Sequence, residues 1–158
     1  MLTSAPQFDA KEPGGVHPIT QAGRAYGAPL SPTLGLMNTP VTNRPLTDAE
    51  RELAHYMLTQ GGQEAEAFLA QLEQAEVTPW RCPCGCASIN FQIKGQPEAD
   101  PGVHVLADFV CGPEDFPSGA FIFESGGLLS GIEVYGLAGD APKSLPSPNE
   151  LRPFKQGS

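Results

Sequence analysis

The apolar positions that follow Leu46 recur at helical spacing. They lie at positions i, i+4, i+7 and i+8, which places them on one face of an amphipathic helix. The segment Thr47-Asp48-Ala49-Glu50 is typical of a capping box, in which a hydroxyl and a carboxylate satisfy free amides of the first turn. Gly61-Gly62 predicts the end of this helix. The apolar stripe consists of Ala49, Leu53, Tyr56 and Met57.

A second helix is predicted from about Gln63 to Ala75, because apolar residues again fall on one face and polar residues on the other. With the short glycine connection, the two helices form a helical hairpin. The predicted buried residues are Ala65, Phe68, Leu69 and Leu72, and the predicted solvent-facing residues are Glu64, Glu66, Gln71, Glu73 and Gln74.

Beyond residue 88 the hydrophobic period changes from 3.6 to 2, which indicates strands with one polar face. Four strands are predicted, and Ser125-Gly126-Gly127 supplies the turn between the last two. Short connections favour an antiparallel meander whose apolar face is covered by the helices. The residues that define the strands are Ile89, Phe91 and Ile93; Val103, Val105, Ala107, Phe109 and Cys111; Phe121 and Phe123, within about Ala120 to Glu124; and Ile132 to Tyr135.

The predicted fold is therefore α+β: an N-terminal helical hairpin packed on a four-stranded, mainly antiparallel sheet, in a single domain at residues 46–154. Residues 1–45 contain seven prolines and five glycines with almost no apolar periodicity, so they are predicted to be a flexible, disordered tail.

The charge balance indicates which kinds of partner the chain could bind. The chain of 158 residues has 18 acidic and 9 basic side chains, a net charge of −9. Such a surface repels phosphate backbones, which excludes non-specific nucleic-acid binding and favours a basic protein partner. No apolar run is long enough to span a membrane, and the N-terminus does not resemble a secretory signal, so we expect a cytoplasmic protein with reduced thiols.

Three of the four cysteines lie at alternate positions in Arg81-Cys82-Pro83-Cys84-Gly85-Cys86. Cys82 and Cys86 have the spacing of a zinc-ligand pair, and a turn at Pro83 and Gly85 would bring the sulfurs together. Cys111 is the predicted fourth ligand, because its strand is expected to neighbour the one that follows the cysteines; His104 is a substitute. An extended backbone would instead hold alternate sulfurs about 6.5–7 Å apart, too far for one ion.

The alternatives to a metal centre are thiols that only pack in a turn, and a reactive thiol. Cys111 also fits an apolar sheet face beside Phe109, where a free cysteine behaves as a small hydrophobic residue. Glu124 and Glu133 lie on adjacent predicted strands, but alternation favours a solvent-exposed Glu133 over a catalytic carboxylate pair. The chain contains no recognised nucleophile, metalloprotease or phosphate-loop motif, which argues against an enzyme.

The element Cys84-Gly85-Cys86-Ala87-Ser88-Ile89 and the late segment Gly127 to Val134, Gly-Leu-Leu-Ser-Gly-Ile-Glu-Val, resemble a family of small bacterial proteins. The resemblance extends from Leu46 to Leu151 and includes the opening helical pair. It implies an α+β fold and a bacterial cytosolic setting, and it brings no assigned activity.

Charge and missing motifs together predict a small acidic protein that acts without catalysis. It would bind a protein partner, and the charge favours a basic one, in the manner of inhibitory or immunity proteins. The alternative is a zinc-binding or thiol-dependent protein that uses Cys82, Cys84 and Cys86.

Overall fold

A computed structural model describes residues 41–154 and confirms the α+β fold class. Residues 1–40 of the predicted tail lie outside the described residues. In chain order the elements are β1 (Arg44–Pro45), α1 (Asp48–Gln60), α2 (Gln63–Glu66), α3 (Leu69–Leu72), β2 (Ala75–Val77), β3 (Ile89–Ile93), β4 (His104–Cys111), β5 (Ser118–Ser125), β6 (Leu128–Gly136), a 3-10 turn (Pro148–Glu150) and β7 (Arg152–Pro153).

The first helix forms as predicted, with its capping box. The Glu50 amide donates to Thr47 Oγ1 at 3.2 Å, and the Thr47 amide donates to Glu50 Oε2 at 2.8 Å. Arg44 adds two guanidinium hydrogen bonds of 2.8 Å to the same carboxylate. β1, which precedes Leu46, also pairs with β2. Regular structure therefore begins before the predicted start of the domain at Leu46.

The predicted continuous second helix is wrong in detail. It consists of two single turns, α2 and α3, and the chain has already entered β2 at Ala75. Phe68 lies between the two turns at φ −91° and ψ −2°, and its amide bonds to the Ala65 carbonyl at 3.0 Å. Pairing of Ala75 with Ile93 of β3 outweighs the helical preference of the segment, because local propensity is weak against tertiary pairing.

The sheet has seven strands rather than four, in the order β1-β2-β3-β6-β5-β4-β7, and every pair is antiparallel. The three additional strands contain only two or three residues, too few to show a period of 2. Strands β4, β5 and β6 form the predicted meander. However, β3 pairs with β6 rather than with β4.

The helices cover one face of this sheet. Apolar side chains of α1 and α3 meet those of the central strands in a single core that excludes water. Within residues 41–154, no helix is both long and apolar enough to cross a membrane. The largest fully buried side chains are Leu53, Met57, Leu58, Leu72, Ile122, Leu129, Ile132 and Val134.

Two bulges interrupt the alternation along the strands, and the one in β4 changes a predicted inner face. Leu106 is an extra residue in β4 between the pairs Val105↔Phe123 and Ala107↔Ile122. Leu106 is therefore buried, and Val105, which the alternation placed inside, is 43% exposed on the opposite face. Ser130 is the corresponding extra residue in β6. A bulge bends and twists its strand, so both strands beside Phe123 bend at the same level.

The sequence analysis expected Phe121 and Phe123 to face the helices, and this expectation is wrong. Ala120 and Ile122 do, and the two phenylalanines lie on the opposite face, which we call the outer face. There the Phe121 ring lies 5.9 Å from the ring of Phe123 and 5.8 Å from that of Tyr135. The Tyr135 hydroxyl donates to Asp108 Oδ1 at 2.9 Å; burial, followed by this bond, raises the pKa of Tyr135 to about 12.

Candidate metal centre

The three clustered cysteines lie in the loop between β2 and β3. The Gly85 amide donates to the Cys82 carbonyl at 2.9 Å and closes a turn. Gly85 has φ +76°, a left-handed conformation that glycine adopts without a steric penalty. Because the backbone curls at this residue, the long sulfur separations of an extended chain do not occur.

The turn brings the three sulfurs together. Cys82 Sγ lies 2.9 Å from Cys84 Sγ, and the sulfur atoms of Cys82, Cys84 and Cys86 all lie within 4.8 Å of one another. Zinc–sulfur bonds of about 2.3 Å in a tetrahedral site imply sulfur separations of about 3.8 Å. Small side-chain rotations would therefore suffice for one ion to bind all three sulfurs, and the group could hold a metal ion.

The cysteine loop is attached to the rest of the fold on its C-terminal side. The Ala87 amide donates to the Pro142 carbonyl at 2.9 Å, and Lys143 Nζ donates to the Cys84 carbonyl at 3.1 Å. Ser88 is buried, and its Oγ accepts a hydrogen bond from the Val134 amide of β6 at 3.0 Å. The sheet and the segment after β6 thus fix the position of the loop.

The thiols differ in acidity. Partial burial alone would raise the pKa of Cys86. Hydrogen bonds from the hydroxyl and backbone of Ser88, and from the other two thiols, stabilise its thiolate and lower its pKa to about 7. Ser88 Oγ lies 3.2 Å from Cys86 Sγ. A hydrogen bond with the Cys84 side chain is the main cause that raises the pKa of Cys82 to about 11. Cys86 is thus the first of the two to ionise.

A cavity of about 540 Å³, which we call the thiol pocket, borders the cysteines. Cys82 and Cys86 line it beside Arg81 and Lys143. Neither of these two cations has a salt-bridge partner among residues 41–154. Arg44, Glu50 and Glu52 also line the pocket, and Arg44 pairs with Glu50, so the thiols border both cationic and anionic side chains.

Cys111, the predicted fourth ligand, does not belong to the group. That prediction assumed β4 beside β3, but β6 and β5 lie between these strands. Cys111 is 2% exposed and packs in the core, where burial raises its pKa. His104, the predicted substitute, has Nε2 at 2.9 Å from Glu64 Oε1 of α2.

The two carboxylates considered for acid–base chemistry do not form a pair. Glu133 lies opposite Phe121 on the outer face, whereas Glu124 lies opposite Leu129, which belongs to the core. The Glu124 carboxylate accepts the Gly127 amide at 2.7 Å in the hairpin turn. Its role is to stabilise the turn.

The sequence analysis missed Ser88, Arg81 and Lys143 as neighbours of the thiols. Ser88 follows Cys86 by two positions, and alternation could have placed both side chains together. Lys143 is distant in sequence, and no local pattern connects it with the cysteines.

Comparison of the chain with protein-family profiles, curated proteins and solved structures gave no match. The resemblance to a family of small bacterial proteins therefore stays a prediction, and the site must be interpreted from its own geometry.

Replacing Ser88 with alanine is expected to raise the pKa of Cys86 from about 7 toward the usual thiol value of 9.0, because the thiolate loses its hydroxyl donor. The substitution should also destabilise the fold by about 1–3 kcal/mol, since the Val134 amide loses its partner. The pH dependence of Cys86 alkylation, followed by mass spectrometry, measures the first effect. Ser144→Ala, at an exposed position of the thiol pocket, is the matched control. Equal pH profiles in both variants would contradict this role of Ser88.

Proposed function

We propose that this protein binds a thiophilic metal ion, zinc above all, through Cys82, Cys84 and Cys86. The convergence of three sulfurs within 4.8 Å carries the proposal. Thiolates are the usual ligands of zinc, and they must lose their protons to bind. The lowered pKa of Cys86, about 7, supports the proposal because this ligand is partly ionised at neutral pH.

Three protein ligands leave one position of a tetrahedral ion free. A divalent ion with three thiolates carries one net negative charge, which Arg81 and Lys143 of the same pocket would partly offset. Structural zinc sites use four protein ligands, whereas sites that exchange a ligand use three. We therefore propose an accessible ion whose fourth ligand is water or a small anion from the thiol pocket.

Metal analysis of protein purified without an affinity tag tests the proposal. We expect nearly one zinc per chain after dialysis, and thiolate-to-metal absorption bands when cobalt replaces zinc. Cys84→Ser should weaken binding by roughly 100-fold or more, since even outer partners of metal ligands contribute 10–100-fold. Cys111→Ala removes a thiol outside the group and should retain the metal.

Two results would contradict metal binding: no retained ion together with no cobalt bands, or equal losses in Cys84→Ser and Cys111→Ala. The second would indicate non-specific binding to thiols.

A second candidate function is nucleophilic thiol chemistry at Cys86, and its lowered pKa favours this candidate. Fast alkylation of Cys86 at neutral pH in protein that binds no zinc would support it over the metal centre. Slow alkylation in the same metal-free protein would exclude it.

A further inference from the structure

The outer face of the sheet contains a groove of about 800 Å³, separate from the thiol pocket. Its walls come from residues 98–103, from the outer sides of β3, β5 and β6, and from the segment after β2. Phe123 lines it, on the strand that lies between the two bulged strands.

Two large apolar side chains of the groove are exposed to solvent. Trp80 is 43% exposed and Val103 is 60% exposed. Thr78 also lines the groove, and its buried Oγ1 has no hydrogen-bond partner among residues 41–154. The groove thus offers an exposed aromatic surface.

The charge of the groove is entirely negative. Glu98, Asp100 and Glu133 line it, whereas no lysine, arginine or histidine of the described residues does. None of the three carboxylates forms a salt bridge or a side-chain hydrogen bond within the part of the chain that the structure describes. By contrast, the carboxylates that do form salt bridges, with arginine, lysine or histidine, are those of Glu50, Glu64, Glu73 and Glu76.

We propose that this groove docks a lysine- or arginine-bearing segment of a basic protein partner. Unpaired carboxylates attract the cationic group, and an exposed indole binds its methylene stem and its charge. The net charge of −9 would steer such a partner toward the protein from a distance. The proposal gives the expected basic partner a location, and it does not rest on metal binding.

Trp80 is the only tryptophan of the chain, so its fluorescence reports directly on the groove. The full chain, with a chelator present, would be titrated with a short peptide of alternating lysine, arginine and glycine. A peptide with glutamate in place of the cations, and the free polyamine spermine, are the comparison probes. We expect a saturable change with the basic peptide alone, and an affinity that falls as salt is raised.

Variants separate specific docking from general attraction to an acidic protein. Anisotropy of a labelled basic peptide should show roughly two- to fivefold weaker binding to Glu133→Gln, the loss expected for one partly exposed ion pair. Glu114→Gln removes the same charge from an exposed residue outside the groove and should bind as the parent does. Cys84→Ser should also retain the peptide, so failure of metal binding would leave this result intact.

Equal weakening by Glu133→Gln and Glu114→Gln would overturn the proposal, because it would show attraction without a defined position. Spermine binding as tight as that of the peptide would overturn the protein partner in favour of a free amine. Absence of any fluorescence or anisotropy change would overturn both.

Discussion

Replacing Gly131 with alanine is expected to destabilise the protein by about 3 kcal/mol, the cost of an added group that the surroundings cannot accommodate. A Cβ at this position would collide with the Ile89 carbonyl oxygen of β3 and would press on the Phe123 ring. The ring can rotate, but the carbonyl belongs to the neighbouring strand. The clash must therefore separate β6 from β3.

The expected effect is large because the junction between these strands is short. Only Ile89↔Ile132 and Asn90↔Gly131 pair β3 with β6. This junction connects β1, β2 and β3 to the other four strands. Losing one of two pairs would weaken the attachment of the cysteine loop as well, since that loop leads directly into β3.

Thermal or denaturant unfolding measures the effect, and Gly139→Ala is its matched control. A Cβ at Gly139 meets no atom within 4 Å, so this variant should unfold like the parent. We expect Gly131→Ala to lower the melting temperature by roughly 10 °C. Equal melting temperatures in the two variants would show that the two strands are not held as close together as described.

Replacing Ile132 with alanine is expected to cost about 4 kcal/mol, within the range for truncating a fully buried aliphatic side chain. Ile132 is 0% exposed and lies opposite Ile89 on one side and Ile122 on the other. Its removal would leave a cavity at the centre of the sheet, beneath the helices. Ile132→Val removes a single methylene and should cost only about 1 kcal/mol.

Urea denaturation with tryptophan fluorescence and circular dichroism would follow both variants. Val105→Ala is the comparison on the outer face, where the side chain is 43% exposed. It should change the free energy of unfolding by less than about 1 kcal/mol, because most of its surface stays in water. A loss for Val105→Ala as large as that for Ile132→Ala would place the core on the wrong face of the sheet.

The features that the sequence predicted correctly are local ones. The capping box at Thr47 and Glu50, the end of α1 near Gly61, and the two-residue turn at Gly126-Gly127 each depend on neighbouring residues alone. Gly126 and Gly127 have φ +59° and +83°, as a tight hairpin turn requires.

The features that it missed depend on distant residues. Nothing in the local pattern distinguishes β6 from β4 as the neighbour of β3, and the prediction that Cys111 joins the metal ligands depended on that choice. Gln71 gives a second example: it was predicted to face solvent. Its side chain instead donates to the Gly127 carbonyl and accepts the Leu129 amide, both at 2.8 Å, and so holds the β5–β6 hairpin to α3.

For the candidate metal centre, the spacing of the cysteines allowed Cys82, Cys84 and Cys86 to meet, but the predicted set also included Cys111, and the spacing did not predict what surrounds the thiols. A turn at Gly85 was a local inference, and the convergence of the three sulfurs agrees with it. The acidity of Cys86 depends on Ser88, whose position is fixed by a strand more than forty residues away. The basic protein partner, inferred from net charge, stays a prediction.

The pairing of β3 with β6 also affects how the protein assembles during synthesis. The chain emerges from the ribosome from its N-terminus, so the cysteines and β3 appear well before β6. Contacts between residues far apart in sequence form late, because a long loop must first close. Until β6 arrives, Ser88 has no Val134 amide to bind, and the three thiols remain without the setting that tunes them. Until then Cys86 would keep the higher pKa of an unassisted thiol, so its ionisation and its capture of a metal ion would lag behind completion of the sheet.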